Sequence, residues 1–146
     1  MDSKVKVFRK EGAFIPTYET LNASGCDLYS NEDCVLKAGK SIMVGTGLHM
    51  EIPVGFELQV RPRSGHAAKS TVSVLNTPGT IDADYRGEIK VILINHSDSD
   101  FEIKKGMRIA QGVFARTYQG NFEDVSSIEE LSSTDRGAGG FGHTGK

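Results

Sequence analysis

The chain has 146 residues, enough for one compact domain and too few for two, and that length needs neither disulfides nor a structural metal to fold. A formal net charge of −2 excludes the basic coat of a nucleic-acid or membrane-surface protein, but leaves small anionic ligands open. Cys26 and Cys34 have no metal-ligand spacing and read as free thiols in a reducing compartment. No apolar run suits a signal peptide or a membrane span, so the expectation is a soluble cytoplasmic protein without nucleic-acid or membrane partners.

In chain order, Val5 and Val7 alternate with lysines as a first strand. Residues 41–44 follow Gly39, and 48–52 alternate before Pro53. Residues 56–60 alternate again and stop at Pro62, and further strands are expected at 71–75, 88–94 and 108–117. These runs are short, rich in β-branched residues and punctuated by turn formers such as Pro78-Gly79, a spacing that predicts an all-β sandwich or barrel. A single turn of helix is predicted at 126–131, where Ser126 or Ser127 can cap and the acids fall in the first turn. Residues 132–146 hold five glycines and almost no apolar side chain, which predicts a mobile tail after a body spanning 1–131. An arginine and an aromatic set in glycine make that tail a candidate flap.

No acidic residue falls between Leu58 and Ile81, yet Arg61, Arg63 and Lys69 do. This positive island reads either as a solvated face or as an anion site. Arg63-Ser64-Gly65 after Pro62 favours the anion site, because an arginine, a hydroxyl and free backbone N–H groups together suit phosphate oxygens. Residues 76–88 read as a hairpin in which Asp82 or Asp84 is either a turn former or a carboxylate base, and Tyr85 either packing or a ligand contact. Asp27 could meet a Mg²⁺ ion directly or through water, and Gln111 could bond a phosphate or be an ordinary surface amide. The stretch 140–146 matches the opening of a phosphate-binding loop, but no strand pattern precedes it, so a P-loop is rejected.

Five separated stretches, ASGCDLYS, RPRSG, NTPGTIDADYRGEI, GMRIAQ and DRGAGGFGHTG, together resemble the trimeric deoxyuridine triphosphatase (dUTPase) family, in the family's order. The resemblance implies a jelly-roll-like β-barrel, a homotrimer with active sites shared among subunits, and Mg²⁺-assisted cleavage of dUTP to dUMP and pyrophosphate. It implies that Asp82 is the general base that activates water for attack on the α-phosphate. Tyr85 is then the aromatic beneath the deoxyribose that excludes a 2′-hydroxyl. Asn76, Thr80 and Ile81 match the uracil-reading wall, and Arg63, Ser64, Gly65 and Gln111 the phosphate contacts. Lys90 falls at a position that the family places near the nucleotide, and Asp27 matches the aspartate that orients the water shell of Mg²⁺. In the tail, Arg136 matches the arginine that reaches the γ-phosphate, and Phe141, followed by Gly142, the aromatic that stacks on uracil.

Two departures stand out: Ser24 replaces the family's more usual alanine, and His66 follows the second motif where an aliphatic residue is usual. Two competing readings share the scaffold, a dCTP deaminase and a non-catalytic nucleotide sensor. The tail motif opposes the first, and the presence of Asp27, Asp82, Arg136 and Phe141 opposes the second.

Overall fold

The computed structural model describes residues 4–142. Among these residues ten strands run in the order β1 (Lys6–Arg9), β2 (Gly25–Tyr29), β3 (Cys34–Leu36), β4 (Ser41–Glu51), β5 (Phe56–Arg61), β6 (Val72–Val74), β7 (Gly79–Ile81), β8 (Ile89–Asn95), β9 (Phe101–Ile103) and β10 (Arg108–Arg116). Sheet one has the order β1-β4-β8-β6, sheet two the order β2-β10-β5-β7, and β3 pairs with β9 as a ribbon. Pairing is antiparallel throughout. The sheets do not close into a complete barrel; the arrangement is jelly-roll-like, as expected from the sequence.

One apolar cluster joins the inner faces. Val44, Leu48, Val91 and Leu93 come from sheet one, Leu28, Leu58 and Ile109 from sheet two, and Leu36 and Ile103 from the ribbon. All are buried, as strand alternation requires of a single inward face. Cys26 and Cys34 are free, and burial pushes both thiols above their ordinary pKa.

Several local expectations change. Residues 41–44 and 48–52 merge into one eleven-residue strand, β4, whose register with β8 slips between Gly45 and Leu48. The expected hairpin at 76–88 is longer than a turn. Its flanking strands β6 and β8 do pair, with Val74 opposite Leu93, but the connection crosses to sheet two, where β7 adds to the edge of β5. The predicted turn of helix at 126–131 is a 3-10 turn, Ile128–Glu130, with Ser127 and Glu130 forming a reciprocal capping box. An α-helix unannounced by the sequence, α1 (Ser64–Ser70), occupies the second motif. It buries no residue and has no side-chain cap, so neither apolar periodicity nor a capping residue marks it.

Thr46 resolves the polar cost of the slip in β4. It is 1% exposed; its hydroxyl donates to the Ile89 carbonyl at 2.6 Å and accepts from the Leu48 N–H at 3.2 Å. Glu88 takes the neighbouring Gly47 N–H at 2.9 Å and the Lys10 ammonium at 2.6 Å. Burial works to raise the Glu88 pKa, but the Lys10 and Gly47 hydrogen bonds outweigh it and the net shift is downward. A carboxylate lowered on folding adds stability above its unfolded pKa, which is lost as pH falls through the folded value.

Thr46→Val keeps the shape but strands the Ile89 carbonyl and the Leu48 N–H. Chemical denaturation should show a loss of about 1–3 kcal/mol, with Thr46→Ser retaining most of the parent stability. Equal losses in the two variants would assign the effect to packing instead.

Candidate active site

The register of sheet two assembles the first cluster. Gln111 on β10 lies opposite Asp27 on β2 and also opposite Arg61 on β5, so the three share one row. Leu28, Val60 and Ala110, their neighbours in sequence, turn to the core, which sends this row to the outer face. Beyond β5, Pro62 ends the strand and α1 begins, carrying Arg63, Ser64 and Gly65 to the same face. Asp27, Arg63, Ser64, Gly65, Gln111 and Glu19 line a polar cleft of about 220 Å³.

Charge organises this cleft. Asp27 is 6% exposed, and Arg63 Nη1 bonds its Oδ1 directly. Arg108 Nη1 lies 3.4 Å from the other carboxylate oxygen and 3.2 Å from Glu19. Burial, then the nearby Arg108 charge, lower the Arg63 pKa while Glu19 opposes them; a guanidinium stays protonated throughout. Gln111 donates through Nε2 to the Pro62 carbonyl at 2.9 Å. Its Oε1 packs over Gly25, where a Cβ would come within 2.2 Å, so the glycine of the first motif makes room for the glutamine of the fourth. His66 has a structural place: Nε2 bonds the Arg108 carbonyl at 2.7 Å, and its ring meets Phe101 edge-on at 5.4 Å.

The third motif builds a second cluster elsewhere on the protomer. Asn76 lies over Gly79 at the start of β7, Thr80 is exposed on that strand and Ile81 half-buried. Asp82 follows immediately and, with Asp84 and Arg86, lines an open cleft of about 910 Å³ against Val54, Phe56 and Glu57. Tyr85 is 43% exposed. Its hydroxyl donates to the Glu88 carbonyl at 3.0 Å, and its ring covers Gly87, where a Cβ would fall 2.2 Å from Oη. The two clefts share no lining residue. Ile81 lies opposite Leu58 near the start of β5, whereas Arg63 to Gly65 follow the end of that strand, so the two clefts sit towards its opposite ends.

The remaining sequence candidates join neither cluster within this chain. Lys90 is exposed on the outer side of β8. The tail makes local turns, with Arg136 Nε donating to the Gly139 carbonyl at 2.8 Å, and Phe141 is fully exposed beside Gly142. His143, Thr144 and Gly145 of the tail motif, with Lys146, lie outside the described residues. Arg108 and Glu19 are cleft residues that the sequence motifs did not single out. Arg108 had a signal, since it stands three residues before Gln111 inside GMRIAQ; Glu19 had none.

Among the described residues, no three His, Cys, Asp or Glu side chains gather to hold a metal ion. Both oxygens of Asp27 face guanidinium groups. This donor set does not suit a cation held by the protein alone. A Mg²⁺ ion here would need ligands beyond the protein, as that ion ordinarily has.

A family model described as dUTPase matches residues 11–145. The chain is similar to the deoxyuridine 5'-triphosphate nucleotidohydrolase of Nautilia profundicola, 57% identical over 146 residues and covering all of both chains. It is 54% identical over 145 residues to the enzyme of the same name from Helicobacter hepaticus, covering 99% of this chain and 89% of that one. Among solved structures, the Staphylococcus bacteriophage 80alpha dUTPase with dUPNHPP superposes with a TM-score of 0.90 at 25% identity, covering 99% of this chain and 100% of that one. A mutant dUTPase from phage phi11 of S. aureus, described as coordinating a structural Mg(II) ion, matches in fold with a TM-score of 0.79 at 21% identity, over 87% and 99% of the two chains.

Asp27→Ala leaves Arg63 and Arg108 facing each other with no carboxylate between them. Urea denaturation should show a loss of roughly 1.5–3 kcal/mol, partly recovered in added inorganic phosphate as an anion replaces the lost charge. A loss indifferent to phosphate would show that the carboxylate acts through packing alone.

Proposed function

The chain belongs to the dUTPase family, and from that premise we propose how its residues divide the hydrolysis of dUTP to dUMP and pyrophosphate. The observation that carries the reading is the convergence of three separated motifs, Asp27, Arg63-Ser64-Gly65 and Gln111, in one polar cleft. Arg63, the Ser64 hydroxyl, the Gly65 N–H and the Gln111 amide hold the phosphate oxygens. The uncapped first turn of α1 supports this role, since its N–H groups are free to donate. Asp27 holds Arg63 and Arg108 ready while no triphosphate is present.

Asp82 takes a proton from a water, whose oxygen attacks the α-phosphorus as the bond to the pyrophosphate oxygen breaks. A Mg²⁺ ion, which Asp27 would meet through water, would supply charge stabilisation to the phosphoryl oxygens and leaving group. Asn76, Thr80 and Ile81 read the uracil edge, where cytosine would leave hydrogen-bonding groups unpaired. The Tyr85 ring packs beneath the sugar and leaves no space for a 2′-hydroxyl. Lys90 adds positive charge near the nucleotide. Arg136 of the tail reaches the γ-phosphate, Phe141 stacks on uracil beside Gly142, and residues 132–146 close over the substrate and exclude water.

The complete site lies between copies in a homotrimer. Support comes from the incompleteness of one protomer: its phosphate cleft and its Asp82 cleft share no residue, and the described residues of its tail, 132–142, line neither. Localisation in the cytoplasm suits this nucleotide chemistry, and no helix among the described residues is long and apolar enough to cross a membrane.

Pyrophosphate release with magnesium, compared among dUTP, dTTP, dCTP and UTP, tests the reading directly, and dUTP should be preferred over all three. In the same assay Asp82→Asn should lower turnover by about 10²–10⁴-fold with dUTP binding intact by calorimetry. Near-parent turnover would remove Asp82 as the base, and ammonia released from dCTP would replace hydrolysis with deamination. Truncation after Thr134 should leave the melting temperature nearly unchanged and the mass in solution trimeric, while severely slowing turnover. Full activity of the shortened chain, or an active monomer, would reject the shared site and its flap.

A further inference from the structure

Tyr85 excludes ribose only as well as its ring is held in place, and it stands on a loop between β7 and β8. Most polar contacts of residues 83–87 stay inside that loop. Arg86 Nη1 donates to the Ala83 carbonyl at 2.7 Å and to the Tyr85 carbonyl at 3.0 Å, and the Tyr85 N–H donates to the Asp82 carbonyl at 3.1 Å. Such contacts shape the loop without fixing where it sits over the sheet. Among the described residues, one side-chain hydrogen bond reaches residues 83–87 from a strand: His49 Nδ1, on β4, lies 2.8 Å from the Arg86 carbonyl. A carbonyl can only accept, so Nδ1 carries the proton.

His49 is well placed for such a task. It lies on the antiparallel pair of β1 and β4, directly opposite Phe8, and the two rings meet at 5.7 Å with a tilt of 59°. Its neighbours Leu48 and Met50 are buried in the core, so its backbone is as fixed as any in the fold. The carbonyl it grips belongs to the residue immediately after Tyr85. On the far side, the Tyr85 hydroxyl bonds the Glu88 carbonyl, and the Glu88 carboxylate is tied to Gly47, also on β4. The ring is therefore braced against one strand from two directions, through Arg86 and through Glu88.

We propose that His49 is a positioning residue for sugar selection, holding the loop through the Arg86 carbonyl so that the Tyr85 ring cannot retreat from a 2′-hydroxyl. The inference rests on the reading of Tyr85 as the group beneath the deoxyribose. A ring free to move admits the larger sugar more readily than it harms the smaller one. Loss of the His49 bond therefore acts on UTP more than on dUTP, whereas general damage to the fold acts on both alike.

The test compares kcat/KM for dUTP and UTP, by pyrophosphate release, in the full-length parent and two variants. His49→Phe keeps a flat ring against Phe8 but has no donor. Its dUTP-to-UTP preference should fall about three- to tenfold, the worth of one net hydrogen bond, chiefly through faster UTP cleavage. His49→Asn places an amide N–H near the position of Nδ1 and should restore the parent ratio. An unchanged ratio in His49→Phe overturns the inference, as does an equal loss on both nucleotides or an Asn variant no better than Phe. A parent with no preference for dUTP over UTP removes the reading of Tyr85 and the inference together. A clear parent preference that survives in His49→Phe removes the inference alone.

Discussion

The register of β10 between β2 and β5 is the constraint on which the candidate site depends. Gln111 faces Asp27 on one side and Arg61 on the other, while Leu28 and Leu58 turn inward. Strand side chains alternate, so a slip of one residue would carry Asp27 into the core and Leu28 out to water. Burying an unpaired carboxylate costs far more than any polar contact returns, so the core sets the register and the register sets the site. The outer face of sheet two is thus specified by residues that never meet a ligand.

Within that face the Asp27–Arg63 contact serves two purposes. A carboxylate this buried needs cationic partners for the fold to be stable, and two arginines close together need an anion between them. In the proposed function an arriving triphosphate meets guanidinium groups already gathered and oriented, which lowers the ordering cost of binding. The same exchange accounts for the acid at the centre of a cleft otherwise suited to anions. In that proposed function, Asp27 occupies the electrostatic place that phosphate oxygens would take over.

Much of this was legible in the residues, and the gaps have physical causes. The alternation of 56–60 and 88–94 predicted β5 and β8 because one face of each is wet. β2 escaped notice because Cys26, Asp27 and Leu28 are all buried, leaving no polar alternation to read. β3, β7 and β9 have three residues each, too short for any periodicity. α1 buries nothing, so it carries no amphipathic stripe, and Arg63-Ser64-Gly65 reads equally well as a loop. The cleft residues Asp27, Arg63 and Gln111 were identified from motifs, whereas Glu19 reaches the cleft only through tertiary folding. The crossing of β7 from one sheet to the other was hidden for a similar reason. Its pairing with β5 is a long-range choice, while Pro78-Gly79 signals only a turn.

The protomer's surface bears on how its pieces combine. Val54, which lines the cleft beside Asp82, is 95% exposed, and Tyr118 and Phe122, on the segment that follows β10, are 91% and 96% exposed. Single exposed apolar side chains are common, but Val54 lines an open cleft, and Tyr118 and Phe122 lie on the path to a tail whose described residues line neither cleft of its own chain. In the proposed trimer, one assembly step covers such surface and also brings a phosphate cleft, an Asp82 cleft and a tail from different copies to one nucleotide. Catalysis is then coupled to association, because a separated protomer holds the base beside the start of β5 and Arg63, Ser64 and Gly65 beyond its end. The Tyr85 loop stands apart from that dependence. It is braced against β4 within its own chain, so in the proposed function the geometry that sorts deoxyribose from ribose would be fixed before assembly, and the geometry that cleaves would be completed by it.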